Sequence, residues 1–209
     1  MWYMKSLFIL DDHSMLRNGI VSFFMNNSDW KITGQAGSKE EFLEILPKLS
    51  ENNELPDILI CDINLNKENS GLDIMKYVKD NYPSIKIVAY SMFESISYIN
   101  KAIASGAAGY VSKSKDEKEL LKCLESVYNG NTYFSHENLD SLIVYTNVLQ
   151  ALTKREKTVF DLLIAKKSNT EIANIMNISK RTVDNYISCI YDKTACCDRN
   201  KLIQKFGEK

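Results

Sequence analysis

The sequence predicts an α/β domain, with a doubly wound sheet of five parallel strands, followed by a small all-α domain. Residues 5–130 alternate five strand patterns with five helix patterns, whereas residues 151–206 contain only helix patterns joined by tight turns. The charge divides in the same way. Residues 1–149 hold 14 basic and 20 acidic side chains, a net charge of −6, and residues 150–209 hold 12 and 7, a net charge of +5. The basic second domain is the candidate for binding a polyanion.

The strands and helices of the first domain follow one another in strict alternation. The strand patterns are short apolar runs, and Ile58–Cys61 has no polar break, as expected of a strand buried on both faces. Gly106 and Gly130 close the last two helices. In order, the segments are "SLFILDD" (strand), "SMLRNGIVSFFMNN" (helix), "KITGQA" (strand), "SKEEFLEILPKLSENN" (helix), "DILICD" (strand), "LDIMKYVKDNY" (helix), "KIVAYS" (strand), "SISYINKAIASG" (helix), "GYVSK" (strand) and "DEKELLKCLESVYNG" (helix).

Composition excludes several classes of protein. The chain has 209 residues, of which 44% are hydrophobic and 25% charged, as in ordinary globular proteins. No apolar run approaches the roughly 20 residues that span a bilayer, so we expect no membrane segment. The five cysteines lack metal-ligand spacing and suggest reduced thiols in the cytoplasm.

Polar residues stand at the carboxyl ends of four strands. Asp11 and Asp12 follow the first strand, Asp62 the third, Ser91 the fourth and Lys113 the fifth. Ligands of open parallel sheets bind beyond these ends, so we expect the side chains to converge in one crevice. A single such aspartate is more often a helix cap or turn residue, but the ordered set is hard to obtain by accident.

This group of residues predicts phosphoryl chemistry. Carboxylates about 4 Å apart repel by roughly 4 kcal/mol at an effective dielectric of 20, and a hard divalent cation removes that cost. Mg²⁺ suits one or two carboxylates together with waters and phosphate oxygens. Asp62, flanked by Mg²⁺ and Lys113, is placed to attack a phosphoryl group and form an acyl phosphate. Lys113 and the Ser91 hydroxyl are candidates to hold the transferred oxygens.

Residues 5–130 resemble the receiver domain of bacterial two-component response regulators, a flavodoxin-like fold, in its NarL/FixJ branch. The resemblance is carried by "ILDDHSMLRNGI", "DILICDINL", "AYSM" and "SGAAGYVSK". It implies that a sensor histidine kinase, or a small phosphodonor, phosphorylates Asp62. The resemblance further implies Mg²⁺ held by Asp11, Asp12, Asp62 and the backbone carbonyl of Asn64, and a phosphoryl-binding and switch set made of Ser91, Tyr110 and Lys113.

Two features of this segment need comment. Receiver domains often have a proline soon after the phosphoacceptor, whereas "DINLNKENSG" has none and is longer by about one residue. The loop over the site therefore differs from the family pattern, and the resemblance does not predict the lifetime of the phosphoryl group. His13 invites a metal interpretation, but its position in "DDH" favours a structural role.

The basic segment has helical patterns with clear caps. Thr153 and Glu156 form the pattern of a capping box, and Ser179 is a candidate cap for "KRTVDNYISCIYDKT". In that helix Val183, Ile187 and Ile190 form one apolar face. Two helices joined by a short turn, the second with a polar outer face, are typical of a helix-turn-helix.

Residues 151–206 also resemble the LuxR-type helix-turn-helix output domain, through "LTKRE", "SNTEIA" and "ISKRTVDNYIS". The resemblance implies binding to double-stranded DNA, and the candidate contacts are Lys180, Arg181, Asp184, Asn185, Ser188 and Lys193. Three residues depart from the family. Lys167 stands where a glycine is usual before "SN", and Asp184 and Ser188 stand where basic residues are frequent. Asp184 opposes phosphates, unless it accepts from a cytosine amino group.

We therefore predict a cytoplasmic transcriptional regulator that dimerises on DNA when phosphorylated and is no enzyme beyond its own phosphotransfer and autodephosphorylation. The alternative is a regulator that acts through protein–protein interaction, with weak or lost sequence-specific DNA binding. A metal-dependent phosphohydrolase fits less well, because Asn64 stands where its second catalytic acid would be. The expected boundaries are a receiver at 1–130, a partly helical linker at 131–150 and the DNA-binding domain at 151–209.

Overall fold

The computed structural model describes residues 4–27, 29–65, 70–134 and 136–207. The elements of the first part are β1 (Lys5–Leu10), α1 (Ser14–Asn27), β2 (Trp30–Ala36), α2 (Lys39–Glu51), β3 (Ile58–Asp62), α3 (Ser70–Asn81), β4 (Lys86–Ser91), α4 (Ile96–Ala104), β5 (Gly109–Ser112) and α5 (Glu117–Tyr128). The second part contains α6 (His136–Ala151), α7 (Lys154–Ile164), α8 (Asn169–Met176), α9 (Lys180–Thr194) and α10 (Arg199–Phe206).

The strands form one parallel sheet in the order β2-β1-β3-β4-β5, which confirms the predicted fold class. On one face, Phe24 of α1 and Leu124 of α5 join the strand residues Ile9 and Ile60 in a buried core. On the other face, Phe8 meets Phe42 of α2 edge-on, with ring centroids 5.2 Å apart. Because the order reverses between β1 and β3, their carboxyl ends flank the crevice where such sheets bind ligands.

The chain divides into two compact units, one of residues 1–92 and 101–134, the other of residues 93–100 and 135–209, and one of the boundaries falls within α4. Within the described ranges, no helix combines the length and apolar character needed to cross a membrane.

The second unit is built around the aromatic side chains of three helices. Phe160 of α7 and Phe206 of α10 have ring centroids 5.5 Å apart, and Tyr145 of α6 lies 6.0 Å from each. The predicted linker thus contains a helix, α6, whose Tyr145 is buried in the core of this unit. Its apolar spacing reflects packing in the helical core.

The turn before α8 contains a non-glycine residue in the left-handed conformation. The residue in the left-handed conformation is Lys166, with φ 61°, and the amide of Lys167 closes the turn on the carbonyl of Leu162 at 3.0 Å. Left-handed backbone favours glycine, so Lys166 is the position in this turn at which a glycine would relieve strain. That Lys167 replaces the family's usual glycine stays a prediction.

Candidate functional site

Asp62 lies at the sheet edge where β1 and β3 end side by side. It is the last residue of β3, and Asp11 directly follows β1, so two carboxylates from distant parts of the sequence meet there. Only 3% of Asp62 and 1% of Asp11 is exposed. The two carboxylates therefore lie almost completely buried at the bottom of the site.

Lys113 lies between these two carboxylates. Its Nζ is 2.7 Å from Asp62 Oδ2 and 2.8 Å from Asp11 Oδ2. The backbone amide of Lys113 donates to the carbonyl of Ser91 at 2.8 Å, which joins the end of β5 to the end of β4. One buried cation thus offsets two buried carboxylates, each of which would be costly alone. The structure brings Asp11, Asp62, Ser91 and Lys113 together at one edge.

The acidic cluster has the donor set of a divalent-cation site. Asp11, Asp12, His13 and Asp62 each offer one ligand atom, and these atoms lie within 4.8 Å of one another. His13, expected to be structural, has Nδ1 2.8 Å from Asp12 Oδ1, and its side chain is mostly exposed. Three carboxylates suit a hard cation that binds through oxygen. The residues present therefore fit a divalent metal ion.

Both oxygens of the Asp62 carboxylate are held by the protein. Oδ1 accepts from the backbone amide of Asn64 at 3.1 Å, and Oδ2 accepts from Lys113. Burial raises the pKa of Asp62, while the hydrogen bond and charge of Lys113 oppose that rise. The carboxylate is thus oriented and close to a cation that favours its charged, nucleophilic form. The backbone carbonyl of Asn64 as a metal ligand stays a prediction.

The two predicted switch residues lie on neighbouring strands. Ser91 ends β4 and is fully buried, and Tyr110 in β5 is 4% exposed. Tyr110 pairs with Ala89 across the sheet, and its amide donates to the carbonyl of Tyr133 at 3.0 Å. Tyr110 is therefore tied through its backbone to a segment just beyond α5. The switch role of both residues stays a prediction.

Three residues near Asp62 escaped the sequence reasoning. The Lys113 ammonium lies 5.9 Å from the centre of the Tyr90 ring, and Arg17 Nη1 donates to the Asp11 carbonyl at 2.5 Å. Gly71 approaches so closely that an added Cβ would lie 1.9 Å from the Asp62 carbonyl oxygen. Tyr90 could have been found, because it immediately precedes Ser91. Arg17 and Gly71 contact Asp11 and Asp62 only because the chain folds back on itself, so no local sequence pattern indicates their roles.

The second unit presents the polar face expected of α9. Val183, Ile187 and Ile190 are buried, and Ser179 caps the helix by accepting from the amide of Thr182, so both expectations are confirmed. The other candidate contacts on this helix are exposed, namely Lys180, Arg181, Asp184, Asn185, Ser188 and Lys193. The exposed face carries cations and an amide near its N-terminal end.

Two of those candidates have partners inside the helical unit. Lys193 Nζ lies 2.8 Å from Glu156 Oε2, and Glu156 also completes the capping box with Thr153. Asp184 Oδ1 accepts from the side-chain amide of Asn169 at 2.7 Å. Lys193 can reach a phosphate only if its ion pair opens, and the Asp184 carboxylate is engaged by α8. Sequence spacing gives no indication of either pairing.

Comparisons with known proteins match both parts of the chain. Residues 7–125 match the family described as response regulator receiver domain, and residues 150–206 match bacterial regulatory proteins of the luxR family. Transcriptional regulatory protein DesR of Bacillus subtilis is 31% identical, over 99% of this chain and 98% of its own length. Transcriptional regulatory protein MctR of Rhizobium johnstonii is 30% identical, over 85% of this chain and 81% of its own length.

Solved structures share the fold at lower identity. RcsB from Salmonella enterica serovar Typhimurium, bound to a promoter in the presence of phosphomimetic BeF₃⁻, is 22% identical with a TM-score of 0.68, over 96% of this chain and 97% of its own. A structure of two RcsB dimers bound to two parallel DNAs has a TM-score of 0.70 at 22% identity, over 97% and 98%.

Proposed function

Because the chain belongs to the response regulators, with a receiver domain and a DNA-binding output domain of the luxR family, we propose that phosphorylation of Asp62 controls its binding to double-stranded DNA. The protein is a transcriptional regulator of the two-component type. The observation that carries the proposal is the placement of Lys113 between Asp62 and Asp11, with Asp12 in the same acidic cluster. Lys113 orients the buried Asp62 carboxylate and favours its charged form, as a nucleophile requires.

The phosphotransfer follows from the chemistry of these groups. An oxygen of Asp62 attacks the phosphorus of a histidine kinase phosphohistidine, or of a small phosphodonor such as acetyl phosphate. The bond from phosphorus to the donor breaks, and the leaving group departs with its electron pair. Asp11, Asp12, Asp62 and the Asn64 carbonyl would hold Mg²⁺, which supplies positive charge that stabilises the phosphoryl oxygens. No other reaction is proposed beyond autodephosphorylation of the same residue.

Ser91, Tyr110 and Lys113 connect the reaction to the rest of the receiver. Once Asp62 carries a phosphoryl group, Lys113 pairs with its oxygens and leaves Asp11, while the Ser91 hydroxyl donates a hydrogen bond to it. Tyr110 rearranges inward with Ser91. The phosphoryl group thus favours one of two receiver arrangements, and the favoured one exposes or dimerises the output domain.

The remaining proposals rest on the family and on the relatives. We place a receiver at residues 1–130, a partly helical linker at 131–150 and the DNA-binding domain at 151–209, in a cytoplasmic protein. Both curated relatives are named transcriptional regulatory proteins, and RcsB dimers were solved on DNA. A homodimer on double-stranded DNA is the assembly proposed for this chain, with Lys180 and Arg181 at phosphates and Asn185 at a base edge.

One observation favours the second candidate function, action through protein–protein contacts with weak sequence-specific DNA binding. Lys193 is paired with Glu156, and α9 carries Asp184 on its exposed side, so the helix offers few cations to DNA. Weak retention on every genomic sequence would favour this candidate.

Phosphorylation is tested by treating the full chain with acetyl phosphate and Mg²⁺ and measuring the intact mass. One phosphoryl group should add to the protein, and EDTA should prevent it. Asp62→Asn should abolish the addition, because the amide is not a nucleophile of comparable strength. The matched control is Asp73→Asn at an exposed position of α3, which should be modified like the original chain. Unchanged modification of Asp62→Asn would refute the assignment.

A further inference from the structure

Three polar side chains join three helices of the DNA-binding unit. Asp184 of α9 accepts from Asn169 Nδ2 at 2.7 Å, and Asn169 Oδ1 accepts from Arg199 Nη2. The second arm of the Arg199 fork, Nη1, donates to the carbonyl of Lys167 at 2.5 Å. We call Asp184, Asn169 and Arg199 the polar bridge. Asn169 and Arg199 are the first residues of α8 and α10, so the bridge holds two helix starts against α9.

The polar bridge constrains the rotation of α9 about its own axis, which apolar packing alone does not determine. Val183 and Ile187 of α9 are buried, but such contacts are not directional. Hydrogen bonds weaken steeply with angle, and a planar guanidinium fork fixes its partners in one geometry. Asp184 is adjacent to the buried Val183 and to Asn185, so the bridge fixes the rotation of α9 about its axis at that level.

The bridge also changes the electrostatic role of Asp184. The neutral amide of Asn169 separates its carboxylate from the guanidinium of Arg199, so a positive and a negative charge lie at the two ends of the bridge. The cation partly offsets the field of the carboxylate. The sequence predicted that Asp184 faces phosphates or bases directly. The structure offers an alternative, in which the Asp184 carboxylate accepts a hydrogen bond from Asn169 of α8.

We propose that Asp184 is a positioning residue for DNA recognition and does not itself contact DNA. Acting through Asn169 and Arg199, it holds α9 at the rotation at which Arg181 and Asn185 meet the groove. This role rests on the proposed function, since it requires that α9 enters DNA.

Two variants of Asp184 separate positioning from charge. Asp184→Asn and Asp184→Ala remove the same negative charge, but only Asn keeps an oxygen that can accept from Asn169. The probes are a duplex recovered by selection from genomic DNA and its scrambled counterpart, and affinity to the phosphorylated full chain is measured by fluorescence anisotropy. Positioning predicts that Asp184→Asn binds the selected duplex at least as tightly as the original chain. Asp184→Ala should bind it about three- to tenfold more weakly, as for one lost hydrogen bond.

The scrambled duplex and a second substitution complete the experiment. On scrambled DNA the two variants should behave alike, because phosphate contacts report charge and not orientation. Asn169→Ala should weaken selective binding as Asp184→Ala does, and combining the two should cause little further loss. Circular dichroism confirms that each variant is folded, as expected for the exposed Asp184 and the half-buried Asn169.

Several outcomes would overturn the proposal. Equal affinities of Asp184→Asn and Asp184→Ala for the selected duplex would show that only charge matters. Full additivity of Asn169→Ala and Asp184→Ala would show that the bridge does not act as a unit. A loss in both variants only on duplexes with one particular cytosine would make Asp184 a base reader. If the original chain itself prefers no sequence, the proposed function fails and this role falls with it.

Discussion

At the scale of single residues, the geometry of the site depends on how closely other segments approach Asp62. Lys113 and Asn64 hold its two oxygens, and Gly71 lies against its backbone from the segment that opens α3. A Cβ on Gly71 would come within 2.8 Å of the Ile63 Cα as well as 1.9 Å of the Asp62 carbonyl oxygen. Both neighbours are backbone atoms, so no side chain can move aside to make room.

We therefore expect Gly71→Ala to displace Asp62 and slow its phosphorylation. A misplacement of about 1 Å at reacting groups can cost about a hundredfold in rate, so a loss of tenfold or more is the predicted result. The rate of acetyl phosphate labelling, followed by intact mass, measures it. Gly19→Ala in α1 is the control, since nothing lies within 4 Å of its added Cβ, and labelling should not change. Equal rates in the two variants would contradict the close-approach argument.

At the scale of elements, the Glu156–Lys193 pair ties α7 to α9. Glu156 is buried, and its carboxylate accepts from Lys193 through both oxygens, at 2.9 and 2.8 Å, and from the Thr153 amide at 2.7 Å. The hydrogen bond from Lys193 and that from Thr153 lower the pKa of Glu156. A lowered pKa in the folded state means that the pair stabilises the fold above the ordinary Glu pKa, and that this contribution is lost as pH falls through the lowered value.

Glu156→Gln should accordingly destabilise the protein by about 1–2 kcal/mol at pH 7, because a buried charge-assisted contact is lost while the cap survives. The difference from the original chain should shrink as pH falls through the lowered pKa of Glu156, because protonation then leaves an uncharged side chain in both chains. Urea unfolding followed by circular dichroism, at pH 7 and through an acidic series, measures it. Glu171→Gln is the control, since its pair with Lys167 is exposed and 3.6 Å long, and it should change stability less. A pH-independent difference would rule out the ionic explanation.

At the scale of the whole molecule, the sequence predicted the sheet and the central site because their determinants are local. Apolar runs define the strands, and the polar residue that ends each run falls at the same edge of a parallel sheet. Asp62 and Lys113 could therefore be paired without a structure. The partners of Lys193 and Asp184 could not, because pairing between helices depends on how those helices pack.

The helix α6 is a further case. Its apolar spacing predicted a helix within the segment assigned as a linker, but not that Tyr145 would complete the aromatic core of the second unit. An amphipathic pattern identifies a buried face and does not identify what buries it. The left-handed conformation of Lys166 is a similar case, since only backbone angles locate a left-handed residue.

The central claim is that the phosphoryl group on Asp62 controls selective DNA binding. Selection of genomic DNA fragments by the full chain, with and without acetyl phosphate and Mg²⁺ and with Asp62→Asn as the control, tests it most directly. The account predicts that the phosphorylated chain enriches a defined set of sequences, and that the untreated chain and the treated variant enrich that set much less. Equal enrichment of one set by all three samples, or of none by any, would contradict it.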